Sequence, residues 1–91
     1  MAKRASSDDY DKIKKNIVKK LYAHHAFVKG HLLYERLMSG IPAHLKGFVG
    51  DVLLDLMKEE LVVLYGKTKY GDAYQLNIDK LREIEEIIFG L

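Results

Sequence analysis

The stretch from Ile41 to Leu76, IPAHLKGFVGDVLLDLMKEELVVLYGKTKYGDAYQL, changes its hydrophobic period once, and that change limits what the chain can fold into. Up to Glu60, the residues Leu45, Val49, Val52, Leu53 and Leu56 recur at helical spacing, so residues 41–60 are expected to form one amphipathic helix with a single apolar stripe. Ala43, His44, Lys46, Gly47, Gly50 and Asp51 fall off that stripe and leave the other face free for a partner. From Leu61 to Tyr65 the chain is β-branched and aromatic and stops at Gly66. A second alternating stretch follows Gly71, with Tyr74 and Leu76 on one side. Residues 61–76 therefore read as a β-hairpin. Its tip, Lys67, Thr68, Lys69 and Tyr70, is basic and rich in hydrogen-bonding groups.

The flanking segments supply the rest of a small core. Residues 1–6 read as a flexible arm bearing Lys3 and Arg4. Ser7 is placed to cap a first helix running to about His25, with Asp8, Asp9 and Asp11 at the positive end of its dipole. Tyr10, Ile13, Ile17, Val18 and Leu21 share the inner face of that helix, and Lys12, Lys15 and Lys19 line the outer one. A solvated helix face is the plain reading of those lysines, and phosphate contact is the sharper one. Phe27 and Val28 suit a short edge strand, Gly30 breaks the chain, and His31–Met38 reads as a two-turn helix placing Leu33, Leu37 and Met38 in the core. Ser39 and Gly40 make a tight turn, and Pro42 fits the first turn of the next helix, where a missing amide costs nothing. Asn77 reads as the N-cap of a last helix over 78–89, with Leu81, Ile84, Ile88 and Leu91 on one face.

With 91 residues, 48% of them apolar, the chain has enough for one modest core over 1–91 and no second folding unit. It has no cysteine, hence no disulfide framework and no thiolate metal site, and a cytoplasmic setting is the natural expectation. The N-terminal charges lack the apolar middle of a signal peptide, and no run approaches the roughly 18 apolar residues of a membrane span. The net charge of +2 hides an asymmetry. Residues 1–50 carry ten Lys and Arg against four acids, while residues 51–91 carry five against nine. A basic first half suits a polyanionic partner. The charged fraction of 31% and the scarcity of Asn and Gln fit a heat-adapted source.

A short helix HLLYERLM, the turn SGIP, a long amphipathic helix and then the hairpin 61–76 together resemble a winged helix-turn-helix domain. More narrowly, IPAHLKG, a Leu-rich helix and then KTKYGDAYQLN resemble small archaeal winged-helix proteins. The resemblance implies a mainly α fold with a small β-hairpin, of α+β class: a three-helix core, a two- or three-stranded wing and an extra C-terminal helix. It also implies a DNA-binding transcriptional regulator with double-stranded DNA as partner, its third helix in the major groove and its wing on the backbone. Carried onto this chain, the base-edge candidates are His44, Lys46 and Asp51, and Gly47 and Gly50 would let the helix backbone approach DNA; the plain reading of these glycines is a broken or kinked helix start near Gly47. Lys67, Thr68, Lys69 and Tyr70 would meet phosphates, with Lys3, Arg4, Lys12, Lys15 and Lys19 as secondary phosphate contacts.

No other chemistry is legible. His24, His25, His31 and His44 match no zinc spacing, and no nucleophile motif or phosphate-binding Gly-rich loop occurs, so neither a metal, a cofactor nor an enzyme activity is expected. One feature opposes base reading. The helix that should enter the groove has no Arg, Asn or Gln, and it carries Asp51 and an outward Leu54. The alternative is a protein–protein interaction module of the same fold that does not read DNA directly. Ile87, Phe89 and Leu91 exceed what a small monomer can cover and are the expected interface of a homodimer, the plain alternative being that they fray at the C-terminus and stay in water.

Overall fold

Residues Ser7–Ala23 form helix α1, with Asp8 and Asp9 in its first turn and Lys20 in its last, each at the end of the dipole that favours its charge. The computed structural model describes residues 7–90, so the arm 1–6 with Lys3 and Arg4, and Leu91 at the other end, lie outside the described residues. Ser7 is itself helical, so it is not the cap the sequence suggested. Ile13, Ile17, Val18 and Leu21 are buried on one face, with Tyr10 packed at its edge.

The helix stops at Ala23 rather than His25, because His25 adopts the left-handed conformation (φ 53°). Its amide bonds to Tyr22 O at 3.1 Å and that of Ala26 to Leu21 O at 2.8 Å, the paired bonds of a Schellman ending. Gly30 follows where a Cβ would lie 2.2 Å from His25 O, which only glycine can avoid. The edge strand comes later than Phe27–Val28. It is β1, Leu32–Leu33, while Phe27 makes only an isolated parallel bridge to Leu76. The following helix α2 is thereby shortened to Tyr34–Met38, and Leu37 is its buried residue. Gly40 turns the chain at φ 83°.

The helix expected over 41–60 is two segments. Ala43–Phe48 is a 3-10 turn, and α3 runs from Val49 to Lys58. Pro42 precedes the run as its cap residue, and Gly47 and Gly50, poor helix formers, occupy the join, so the first turns tighten instead of opening into a regular α-helix. The apolar stripe survives the change of pitch. Leu45, Val49, Val52, Leu53 and Leu56 are all buried. Helix α3 ends as α1 does, with Glu60 left-handed (φ 63°) and Leu61 N donating to Leu56 O at 2.9 Å.

Strand β2 is Val62–Thr68 and β3 is Gly71–Leu76, so the first hairpin strand does not end at Gly66. The register shifts between Leu64 and Gly66, a bulge that Gly66 accommodates and that leaves Tyr65 without a partner in the ladder. The ring of Tyr65 stacks instead on His31, with centroids 4.3 Å apart. The sheet is three-stranded and antiparallel, in the order β1-β3-β2. Beyond it, Asn77 caps a 3-10 turn, Ile78–Lys80, that leads into α4, Leu81–Phe89; its side chain accepts from Asp79 N at 3.1 Å. The same side chain donates to Glu60 O at 2.8 Å, and its amide donates to Leu61 O, so one residue joins the end of α3 to the start of α4. The chain is thus mainly helical with a small antiparallel sheet, and no described helix is long and apolar enough to cross a membrane.

A polar clamp closes α1 on α3. The Tyr10 hydroxyl donates to Asp55, and Lys14 pairs with Glu59 at 3.1 Å. The Lys14 pair is exposed and contributes little. Burial, reinforced by the bond to Asp55, pushes the Tyr10 phenol up to about 12. A raised phenol pKa means that the folded state holds the proton more tightly. The contribution is therefore complete below the ordinary tyrosine pKa near 10 and is lost as pH rises towards 12.

Two outcomes follow for urea unfolding. Leu53→Ala is expected to lose about 2–5 kcal/mol, whereas Gly47→Ala, where an added Cβ meets nothing within 4 Å, is neutral or stabilising by up to about 1 kcal/mol. An unchanged midpoint for Leu53→Ala would mean the inner face is misassigned. Between pH 9 and pH 11 the parent is expected to lose more stability than Tyr10→Phe, and equal losses would remove Tyr10 from the alkaline transition.

Candidate nucleic-acid interface

The residues singled out as DNA contacts fall into three places. His44, Lys46 and Gly47 are exposed on the 3-10 turn ahead of α3. Lys46 is near enough to Lys20 to act on it. Burial first, and then the positive charge of Lys46, hold the Lys20 ammonium below its ordinary pKa, while its Nζ donates to Leu37 O at 3.2 Å. The end of α1, the end of α2 and the 3-10 turn thus meet in one cationic seam. Lys19 lies beside it, in a shallow groove of about 300 Å³ that also holds Lys20 and His24. Lys12, Lys15 and Lys19 are all exposed on the outer face of α1.

The second place is the hairpin tip. Lys69 and Tyr70 form the turn between the paired residues Thr68 and Gly71. Thr68 Oγ1 donates to Gly71 O at 2.8 Å and accepts from Tyr70 N at 3.0 Å, so this hydroxyl holds the turn together. Lys69 Nζ sits 5.2 Å from the centroid of the Tyr70 ring, and both side chains are exposed. Lys67 stands one step back, within β2, opposite Asp72.

Gly50 and Asp51 belong to the third place. They border a groove of about 420 Å³ between α3 and the sheet, together with Leu54, Leu64, Asp72 and Tyr74. An added Cβ on Gly50 would lie 3.6 Å from the Tyr34 hydroxyl, so this glycine faces α2 as well as the outside. The sequence marked Leu54 as an outward apolar residue but not its companion Leu64. The two come from segments whose patterns differ in period, and only the fold sets them side by side.

Of the residues assigned to a dimer, Ile87 is half-buried and packs against the core. Phe89 remains 57% exposed, with its ring set edge-on to Tyr22 at 5.8 Å between centroids. Of these two described residues, only Phe89 stays largely open to solvent. The histidines do not converge: His31 stacks on Tyr65, and His25 meets Phe27 edge-on at 6.0 Å. Among the described residues no group of three or more His, Asp or Glu is placed to hold a metal ion.

The chain matches no known protein family, no curated protein and no solved structure.

Proposed function

We propose that this chain is a winged helix-turn-helix domain that binds double-stranded DNA as a cytoplasmic transcriptional regulator. The observation that supports the reading is a helical run with His44 and Lys46 exposed ahead of α3, followed by an antiparallel hairpin whose exposed tip bears Lys67 and Lys69. In this reading the 3-10 turn with His44, Lys46 and Gly47 enters the major groove, and Lys67 and Lys69 lie on the neighbouring phosphates. The exposed Gly47 presents backbone without a side chain, which suits close approach. Lys12, Lys15 and Lys19 extend the same charge along α1. Asp51 and Gly50 drop out of the contact set in this reading, because they border a groove that also holds Asp72.

The interaction-module alternative draws on Leu54, which is 55% exposed on α3 where a base-reading side chain would stand. Salt separates the two, since phosphate contacts release counterions and apolar docking does not. A two-fold pairing through Phe89 would present two such helices to successive major grooves.

The double substitution Lys67→Glu, Lys69→Glu is expected to weaken binding to all duplexes alike, and to reduce the slope of log affinity against log salt by about 0.9 for each phosphate no longer neutralised. Unchanged affinity at low salt would remove the hairpin from the interface. For the pairing, sedimentation at micromolar concentration is expected to give a dimer for the parent and a monomer for Phe89→Ser. A monomeric parent would refute it, and a dimeric variant would place the contact away from Phe89.

A further inference from the structure

The groove between α3 and the sheet has the wrong charge for DNA and more open apolar surface than a folded monomer has use for. Leu54 is 55% exposed and Leu64 is 42% exposed, and they stand on its two walls above Leu53, Met57 and Tyr74. Beside it lies a second hollow of about 450 Å³ that shares Tyr34, Asp72 and Tyr74 and ends at Tyr70, which is 70% exposed. Together they make a trough whose apolar part, Leu53, Leu54, Met57 and Leu64, lies in the first hollow and is of a size that takes a few anchoring side chains. Its charged residues are mostly acids: Asp51 borders the first hollow, Glu35 the second and Asp72 both. Lys67, opposite Asp72 in the ladder, and Lys69, 5.2 Å from the centroid of the Tyr70 ring, stand at its hairpin end.

We infer that this trough docks a short cationic segment of another protein, one with apolar anchors on one side and Lys or Arg on the other. The complementarity selects against the other occupants. A nucleic acid or an anionic membrane would meet Asp51, Asp72 and Glu35 with its own negative charge. A second copy offering the same trough would set Asp51, Asp72 and Glu35 against their like, and one offering the outer face of α1 would bring Lys12, Lys15 and Lys19 without a large exposed apolar residue to enter the trough. A cationic amphipathic segment satisfies both the floor and the rim, its apolar side filling the space between Leu54 and Leu64. The second half of the chain is acidic elsewhere too, in the groove lined by Glu59, Glu83 and Glu86, so binding is assigned to the trough by the Leu54 and Leu64 variants.

This inference does not depend on DNA binding, and its test contains no DNA. The full chain is titrated into a fluorescent peptide of leucine and lysine arranged with helical period, and anisotropy is read. Two controls are a peptide of the same composition with the period scrambled, and one with glutamate in place of lysine. The periodic basic peptide is expected to bind, with both controls weaker by at least about tenfold. Leu54→Ser and Leu64→Ser each act on half-exposed side chains, so the fold persists with a modestly lower thermal midpoint, and each is expected to weaken binding by about tenfold at a temperature where the variant is fully folded. Asp51→Asn should weaken it less, and only at low salt. The inference is overturned if the periodic peptide fails to bind, if the scrambled peptide binds equally, or if neither serine variant alters the affinity.

Discussion

The rest of the molecule depends on the burial of one apolar stripe, Leu45, Val49, Val52, Leu53 and Leu56, between α1 on one side and the sheet on the other. A domain of this size buries only a modest share of its surface, so truncating one such side chain removes a large part of its stability. The stripe crosses from a 3-10 turn into an α-helix without leaving the core. The outward residues of the turn, His44, Lys46 and Gly47, therefore keep a fixed position relative to α1 and the hairpin.

Around that stripe, the joints are made by backbone geometry. Two helices end with left-handed non-glycine residues, His25 and Glu60, each holding a chain reversal that the sequence alone does not advertise. Asn77 then binds the second reversal to the start of α4 through its side chain and its amide. On the first reversal, Gln75 Nε2 donates to Val28 O at 3.0 Å and Gly30 O at 3.2 Å, so the central strand holds the loop that leads into β1. The hairpin is thus tied to the helical part at its base, through Gln75 and Asn77.

Much of this was legible in the sequence, and the misses have definite causes. The buried stripe, the inner face of α1, the hairpin and the capping role of Asn77 follow from period and from side-chain chemistry, both of which are local. The edge strand at Leu32–Leu33 was not legible. It is two residues long, lies inside a run that reads as helical, and exists because β3 offers it a ladder from far along the chain. Gly66 looked like a strand end and is instead part of a bulge, a distinction set by the partner strand. At the candidate site, the exposed positions of Lys46, Lys67 and Lys69 followed from the pattern. The separation of Gly50 and Asp51 into an acidic groove did not, because Asp72 and Leu64 reach it from the hairpin.

The proposal that residues 43–47 and 67–70 meet nucleic acid is tested most directly by amide chemical-shift mapping of the full chain during titration with a mixed-sequence duplex at low salt. The account predicts shifts concentrated at residues 43–47 and 67–70, fading as salt is raised. Unperturbed amides at both segments, or perturbation confined to α4, would contradict it.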